Sequence, residues 1–334
     1  MRVLQSFPAP RMTTNPYLVM LARSLDALPG VSVLTFSWGR ALTARYDVVH
    51  LHWPEILTTG NTPARTALRR AMLLVLLLRW TLTGVPVVRT WHNVRPHQGG
   101  DRVRELLLRW IDRLTRVGVR LNEETPAPGV VVTVPHGHYR DWFAPHPAAP
   151  PVRRRLAFVG LIRPYKDVPA LLRAFAATAA HLPDAQLTVA GAPEPTELAG
   201  QVERAAGADT RVTVRLEYLD DAALVETVTT SRLVVLPYAE MHNSGAALMA
   251  LSLDRPVLVP DNPVNRRLAA EVGEAWVRRY APPLTGEALA AALDQPLPPG
   301  RPDLSGREWD DAGERHLAAY RRARELGRRR GRRR

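Results

Sequence analysis

Along this chain, short runs of β-type apolar residues alternate with longer stretches whose apolar positions recur at helical spacing. In the first half the strand-like runs are Arg2–Phe7, Val31–Phe36, Asp47–His52, Pro86–Trp91 and Val130–Val134. Between them, Tyr17–Leu28, Pro63–Leu82 and Arg102–Val117 read as helices. Such alternation argues for parallel β-α-β units. The segment Phe143–Val152 is proline-dense and extended, the signature of a linker.

A second alternating set follows the linker. Its strands are Leu156–Gly160, Gln186–Ala190, Arg211–Glu217, Leu233–Pro237 and Pro256–Pro260. Its helices are Pro169–His181, Glu194–Ala206, Ala222–Thr230, Ala246–Leu253 and Val264–Val272. A last helix, Arg307–Gly327, follows the Pro/Gly stretch Gln295–Pro302. The expected fold class is α/β, with two doubly wound Rossmann-like domains at 1–145 and 152–303. A C-terminal helix over 304–327 and a basic tail at 328–334 complete the chain. Two such domains place a cleft between the carboxyl ends of their sheets.

Composition narrows this picture. At 334 residues and 46% hydrophobic content, the chain can build two cores of ordinary size. Cysteine is absent, which excludes disulfides and thiolate metal sites and fits a reducing compartment. The N-terminus reads as a strand rather than a secretory leader, and no apolar run reaches the ~18 residues of a spanning helix. A cytoplasmic location is expected. The net charge of +13 is concentrated in part in Arg328–Arg334. No zinc-finger spacing or RNA-binding signature accompanies it, so nucleic acid is not an expected partner. One feature of the charge is informative: among 45 basic residues, Lys166 is the sole lysine. A compact ammonium suits a phosphate approached end-on, where the planar guanidinium fork does not.

Lys166 sits in a loop that opens where the strand Leu156–Gly160 breaks at Gly160 and closes where a helix begins near Pro169. Arg163 lies in the same loop. Two cations beside a helix N-terminus make a diphosphate site. A second loop, Leu236–Gly245, carries Glu240 and Asn243 and ends at a helix opened by Ser244 and Gly245, an N-cap and a small residue that lets a ligand reach exposed amides.

The runs Phe158-Val-Gly-Leu-Ile-Arg-Pro-Tyr-Lys166, Glu217-Tyr-Leu-Asp-Asp-Ala-Ala-Leu224 and Ser231-Arg-Leu-Val-Val-Leu-Pro-Tyr238 resemble the donor domain of GT-B glycosyltransferases of the family 4 type. Val49-His-Leu-His-Trp-Pro-Glu55 and Val134-Pro-His-Gly-His-Tyr139 look closer to bacterial exopolysaccharide mannosyltransferases that use GDP-mannose. The resemblance implies a final helix crossing back to the first domain, and transfer of a sugar from a nucleotide diphosphate to a glycan or lipid-linked acceptor, without metal or other cofactor. It implies donor-binding roles for Gly160, Arg163, Lys166, Glu217, Tyr218, Asn243, Ser244 and Gly245. Glu240 would face the transferred sugar, and His92 would bind that sugar or assist proton transfer. Arg11, Trp53, Glu55 and His138 are expected on the acceptor side. In one respect the chain departs from the family. The second glutamate that grips the donor ribose has no counterpart, because the matching positions are Leu248 or Met249.

Several alternatives stay open at this level. An epimerase or phosphorylase would use the same fold, and a silent sugar-nucleotide-binding protein would tolerate the missing glutamate. His50 and His52 share one strand face, which suits core packing better than a metal site lacking further ligands. Arg102, Arg109, Arg113 and Arg116 line one face of a helix whose other side is apolar, and Arg65, Arg69 and Arg79 form a stripe around Ala71–Leu78. Basic amphipathic helices lie on anionic lipid, and helices packed on a sheet show the same pattern. A peripheral position at the membrane is therefore an expectation alongside plain packing.

Overall fold

The computed structural model describes residues 1–11, 13–92, 101–239 and 241–331, with the side chains of 329–331 left aside. Two compact units emerge, one built from Met1–Gly137 and Arg307–Arg334, the other from His138–Gly306.

The first unit holds a six-stranded parallel sheet of β1 (Arg2–Gln5), β2 (Ser32–Leu34), β3 (Val48–Leu51), β4 (Val87–Trp91), β5 (Thr115–Arg120) and β6 (Val131–Thr133), in the order β2-β1-β3-β4-β5-β6. Its helices are α1 (Pro16–Asp26), α2 (Trp38–Thr43), α3 (Pro63–Thr83) and α4 (Arg102–Leu114). Local chemistry sets their ends. Asn15 caps α1 by accepting from Tyr17 N at 3.0 Å, and Pro16 occupies the first turn, where a missing N–H costs nothing. Thr62 caps α3 ahead of Pro63, and Gly84 at φ 67° ends it in the left-handed region. The inner stripe of α3, Leu73, Leu76, Leu77 and Trp80, packs with Leu4, Val49, Leu51 and Val87 of the sheet and with Ile111 of α4. Truncating the fully buried Trp80 to alanine would cost about 3–5 kcal/mol.

The second unit repeats the plan with β7 (Arg155–Val159), β8 (Gln186–Ala190), β9 (Val212–Arg215), β10 (Leu233–Val235), β11 (Val257–Pro260) and β12 (Val277–Tyr280), ordered β12-β11-β10-β7-β8-β9 and all parallel. Its helices are α5 (Arg140–Phe143), α6 (Val168–Ala176), α7 (Leu198–Ala206), α8 (Asp221–Thr230), α9 (Gly245–Ser252), α10 (Pro263–Val272) and α11 (Gly286–Asp294). The final helix α12 (Trp309–Gly331) belongs to the first unit, where it packs on α1. Gly313 makes that approach possible, since a Cβ there would strike Ser24 Oγ.

Six elements differ from the sequence expectation: α4, β5, α2, α5, β12 and α11. The helix expected to reach Val117 stops at Leu114, and β5 begins with the next residue. Val117, Gly118 and Val119 are buried one after another in β5, paired on both sides by β4 and β6, and this sheet pairing overrides the helical spacing of the preceding turns. The expected set also lacks α2, α5, β12 and α11. In β12, the edge strand, Arg278 is buried and bonds the carbonyls of Ala292 and Pro296, the latter at 2.7 Å, so a buried strand reads as polar. The chain also enters the second unit at His138, earlier than the expected boundary. Tyr139 N donates to Ser252 Oγ at 2.8 Å and Trp142 Nε1 to Asp221 at 3.0 Å, which ties 138–145 to α8 and α9.

Candidate functional site

In an open parallel sheet, ligands meet the carboxyl ends of the strands where the order reverses. In the second unit that point lies between β7 and β10, flanked by the loops that follow each strand. These are the loops carrying Arg163/Lys166 and Asn243/Ser244. The structure joins them directly: Ala239 N donates to Tyr165 O at 3.0 Å, and the Tyr165 and Tyr238 rings meet edge-on at 5.9 Å. Asp167 turns the first loop into α6 through a left-handed residue, φ 43°, and its carboxylate caps the helix at Ala170 N, 3.3 Å. Gly191 is forced by proximity, because a Cβ there would collide with the carbonyl of Gly160.

Lys166 is buried, with Nζ 5.4 Å over the Tyr238 ring and 5.9 Å from Phe158. No carboxylate among the described residues pairs with it. Burial, reinforced by the Arg163 charge, pushes its pKa from 10.5 down to about 8. The ammonium is thus charged at neutral pH but poorly compensated, which favours an arriving anion. Arg163 reaches Glu194 Oε2 through Nε at 3.0 Å and Nη2 at 2.7 Å. Ser244 caps α9 by accepting from Ala247 N at 3.2 Å, and its side chain also meets the Tyr238 hydroxyl. Burial raises the Tyr238 pKa, so the ring stays neutral beside Lys166. Glu217 is exposed and pairs with Arg215 at 3.1 Å, while Tyr218 is 60% exposed at the same end of β9. Leu248 and Met249 point into the core of α9, so neither presents a polar group to a ribose. Glu240 lies outside the described residues.

The first unit reverses strand order between β1 and β3. Here His50, His52, His92 and His136, at or beyond the carboxyl ends of strands, form a buried imidazole cluster with His316 of α12. Trp53 stacks on His92 with centroids 4.0 Å apart and planes at 20°, and His52 Nδ1 lies 3.2 Å from His92 Nε2. Burial lowers every one of these pKa values: His52 falls to about 3, His136 and His316 to about 4, and His50 and His92 well below the usual 6.5. Neighbouring histidines add to the depression at His92, which is a neutral imidazole at physiological pH.

Two related proteins of Xanthomonas campestris pv. campestris, both called GDP-mannose:glycolipid 4-beta-D-mannosyltransferase, are 43% identical to this chain over 324 residues, which cover 95% of it and 91% of theirs. A family model described as Glycosyl transferases group 1 matches residues 153–297. The chain belongs to this family of glycosyltransferases. Solved structures agree on the fold. Anabaena HepE in complex with UDP superposes with TM-score 0.58 at 13% identity over 98% of both chains. The Escherichia coli trehalose-6-phosphate protein bound with UDP-2-fluoro glucose gives 0.62 at 12% identity over 98% and 97%. A putative UDP-N-acetylglucosamine 2-epimerase from Listeria monocytogenes gives 0.55 at 13% over 95% of each. At such identities only the GT-B fold is shared.

Within this glycosyltransferase, the expected donor residues Gly160, Arg163, Lys166, Ser244 and Gly245 gather at one strand crossover of the second unit. The expected acceptor residues do not form a single set. Glu55 is already committed to Arg89 at 3.2 Å, a guanidinium that also holds Asp112 and lies over Trp91. A buried cation of this kind requires its carboxylates, so Glu55 serves the fold of the first unit. His138 sits in the second unit as a buried residue ahead of α5 whose Nδ1 accepts from Arg140 N at 3.3 Å. Arg11 is exposed in the loop after β1, where its N–H bonds Thr14 Oγ1 at 2.8 Å. Sequence reasoning missed Tyr238, Glu194 and Gln5. Gln5 did leave a signal, an amide in the middle of an apolar run.

Proposed function

We propose that this glycosyltransferase moves mannose from GDP-mannose to a hydroxyl of a glycolipid. The observation that carries the reading is the buried Lys166 ammonium, which pairs with no carboxylate among the described residues and sits on a loop joined to the one that leads into α9. Together with Arg163 and the amides at Ser244–Gly245, it supplies preorganised positive charge for a departing diphosphate without a metal ion. The choice of mannose, guanosine and glycolipid rests on the names of the Xanthomonas relatives. A β linkage formed from an α-linked donor requires inversion, hence a base for the acceptor hydroxyl. His92, neutral and held between Trp53 and His52, is that base. The decisive experiment incubates purified protein with GDP-, UDP- and dTDP-sugars and a lipid extract, with Lys166→Ala as control. Transfer from GDP-mannose that survives EDTA and collapses in the variant supports the reading. Full turnover by Lys166→Ala overturns it, epimerised nucleotide sugar points to the alternative chemistry, and tight binding without turnover points to a silent binding protein.

A lipid acceptor gives meaning to α3 and α4. Packing on the sheet accounts for Leu73, Leu76, Leu77 and Trp80 but leaves the opposite side of α3 apolar, with Leu74, Val75, Leu78 and Leu82 between 43% and 85% exposed. Val103 and Leu106 of α4 are more than half exposed beside them, and Arg102, Arg109 and Arg113 are exposed on the same helix. The α3 arginines contribute less than their spacing suggested, because Arg79 turns back to the carbonyls of Ala41 and Ala44 at 2.8 and 2.6 Å. Among the described residues no helix is long and apolar enough to cross a membrane. This face therefore rests on the surface of anionic lipid.

A further inference from the structure

Between α3 and α4 of the first unit lies a groove of about 950 Å³, large enough for a small ligand. Buried Trp80 and Leu107 line its depth, and the exposed Leu74 and Leu106 line its mouth. Along α3 it runs from Arg70 to Thr83, about 20 Å at the rise of an α-helix. The hydrocarbon of one bilayer leaflet is roughly 15 Å deep. The groove therefore has the length and the lining of a site for a single acyl chain.

Its two ends differ in charge. Toward the N-terminus of α4, Arg70 is already held by Asp101 at 2.7 Å and by the Thr58 carbonyl at 3.1 Å. At the opposite end, Arg113 and Arg116 line the groove beside Gly327 of α12. Gly84 ends α3 here, and a Cβ at Gly327 would meet its carbonyl oxygen at 3.8 Å. The next residue, Arg328, is exposed, and the sequence adds five further arginines by Arg334. Arg113 is exposed and makes no ion pair among the described residues. No carboxylate among the described residues lines the groove.

We propose that this groove is a discrete site for one anionic phospholipid of the bilayer, its acyl chain lying along α3 and α4 and its phosphate at Arg113 and Arg116. The proposal rests on the lipid-facing reading of α3 and α4 and goes beyond it, since a face adsorbs many lipids and a recess holds one. Topology decides which lipid. Val85 precedes β4 and Arg116 opens β5, so the cationic end lies at the amino ends of the strands. His92 and Trp53 lie past the carboxyl ends of β4 and β3. An acceptor held there by its phosphate would begin a full strand away from His92, so the occupant is a bilayer lipid rather than the acceptor. The arginines that follow Gly327 then serve the same anionic surface.

Monomeric lysophosphatidylglycerol, kept below its micelle concentration, separates a site from a face because no bilayer is present. In calorimetric titration of the full-length protein it should saturate at one per chain and bind about 10-fold or more tighter than lysophosphatidylcholine. Glycerol phosphate, the headgroup without a chain, should show no saturation in that range. Arg113→Gln should weaken the anionic lysolipid about 5-fold and leave the zwitterionic one unchanged. Leu106→Trp fills the groove from an exposed position; it should weaken binding about 10-fold or more while flotation with anionic vesicles stays within about 2-fold. Equal affinity for the two lysolipids, or binding untouched by Leu106→Trp, overturns the proposal. Wild type that floats with vesicles but shows no saturable lysolipid binding keeps the lipid-facing reading and defeats the site. Absence of both defeats both. Lysophosphatidylglycerol that competes with the glycolipid in mannose transfer, raising its KM, assigns the groove to the acceptor and overturns the choice of a bilayer lipid.

Discussion

Replacing Lys166 with methionine should make the protein more stable and nearly inactive. Methionine keeps the unbranched stem that packs by Phe158 and Tyr238 but removes the charge. Burial holds the Lys166 pKa at about 8 instead of 10.5. At about 1.4 kcal/mol per pH unit, the protonated ammonium costs the native state on the order of 3 kcal/mol at neutral pH. Lys166→Met should recover about 2–3 kcal/mol and raise the Tm of the second unit by roughly 5–10 °C. The pH dependence is specific. A lysine with a lowered folded-state pKa destabilises fully below that value, and the penalty fades as pH rises to the unfolded value. The gap between variant and wild type should therefore be full below pH 8 and close by pH 10.5. Turnover of GDP-mannose should fall about 100-fold or more. Melting curves across this pH range, paired with steady-state kinetics, measure both. A Lys166→Met protein no more stable than wild type at pH 7 would refute the argument, because it would mean the charge is already satisfied without a donor.

Other outcomes follow from the same structure. Stability should decline as pH falls below 6.5, because unfolded histidines take up protons that the buried cluster refuses; His316, with its pKa near 4, contributes on the order of 3 kcal/mol by pH 4, and urea midpoints that stay flat from pH 7 to 4.5 would contradict this. Glu194→Gln should leave stability within about 1 kcal/mol, since the pair is partly exposed, while changing the donor KM through Arg163; an unaltered KM would separate Arg163 from the diphosphate. Leu74→Glu with Leu82→Glu should abolish flotation with anionic vesicles while GDP binding stays intact, and undiminished flotation would remove α3 from the lipid contact. GDP should stabilise the protein less as pH rises above about 8, as the ammonium loses its proton, and a pH-independent shift in Tm would exclude Lys166 from the site.

Much of this architecture is legible in the chain because parallel strands and their helices carry different periods. The donor loops are legible for the same reason: a strand that breaks at Gly160, a helix that opens at Pro169 and a lone lysine between them are local facts. What escaped is non-local. β5 follows α4 without a loop, so no turn residue announces the change of period. The alanine-rich Gly286–Asp294 and the arginine-bearing β12 gain their character from each other, through Arg278 and the Ala292 carbonyl. Glu55 looked available because its partner Arg89 is 34 residues away. Gln5 and Tyr320 are separated by 315 residues, and only folding brings the amide to the hydroxyl.

The most direct test of the central claim is transfer of radiolabelled mannose from GDP-mannose into an organic-extractable product, with wild type and Lys166→Ala side by side. The account predicts label in the lipid phase for the wild type, linked β, and a loss of about 100-fold or more in the variant. Label that stays wholly in water-soluble nucleotide or free sugar, or equal transfer by the variant, would contradict it.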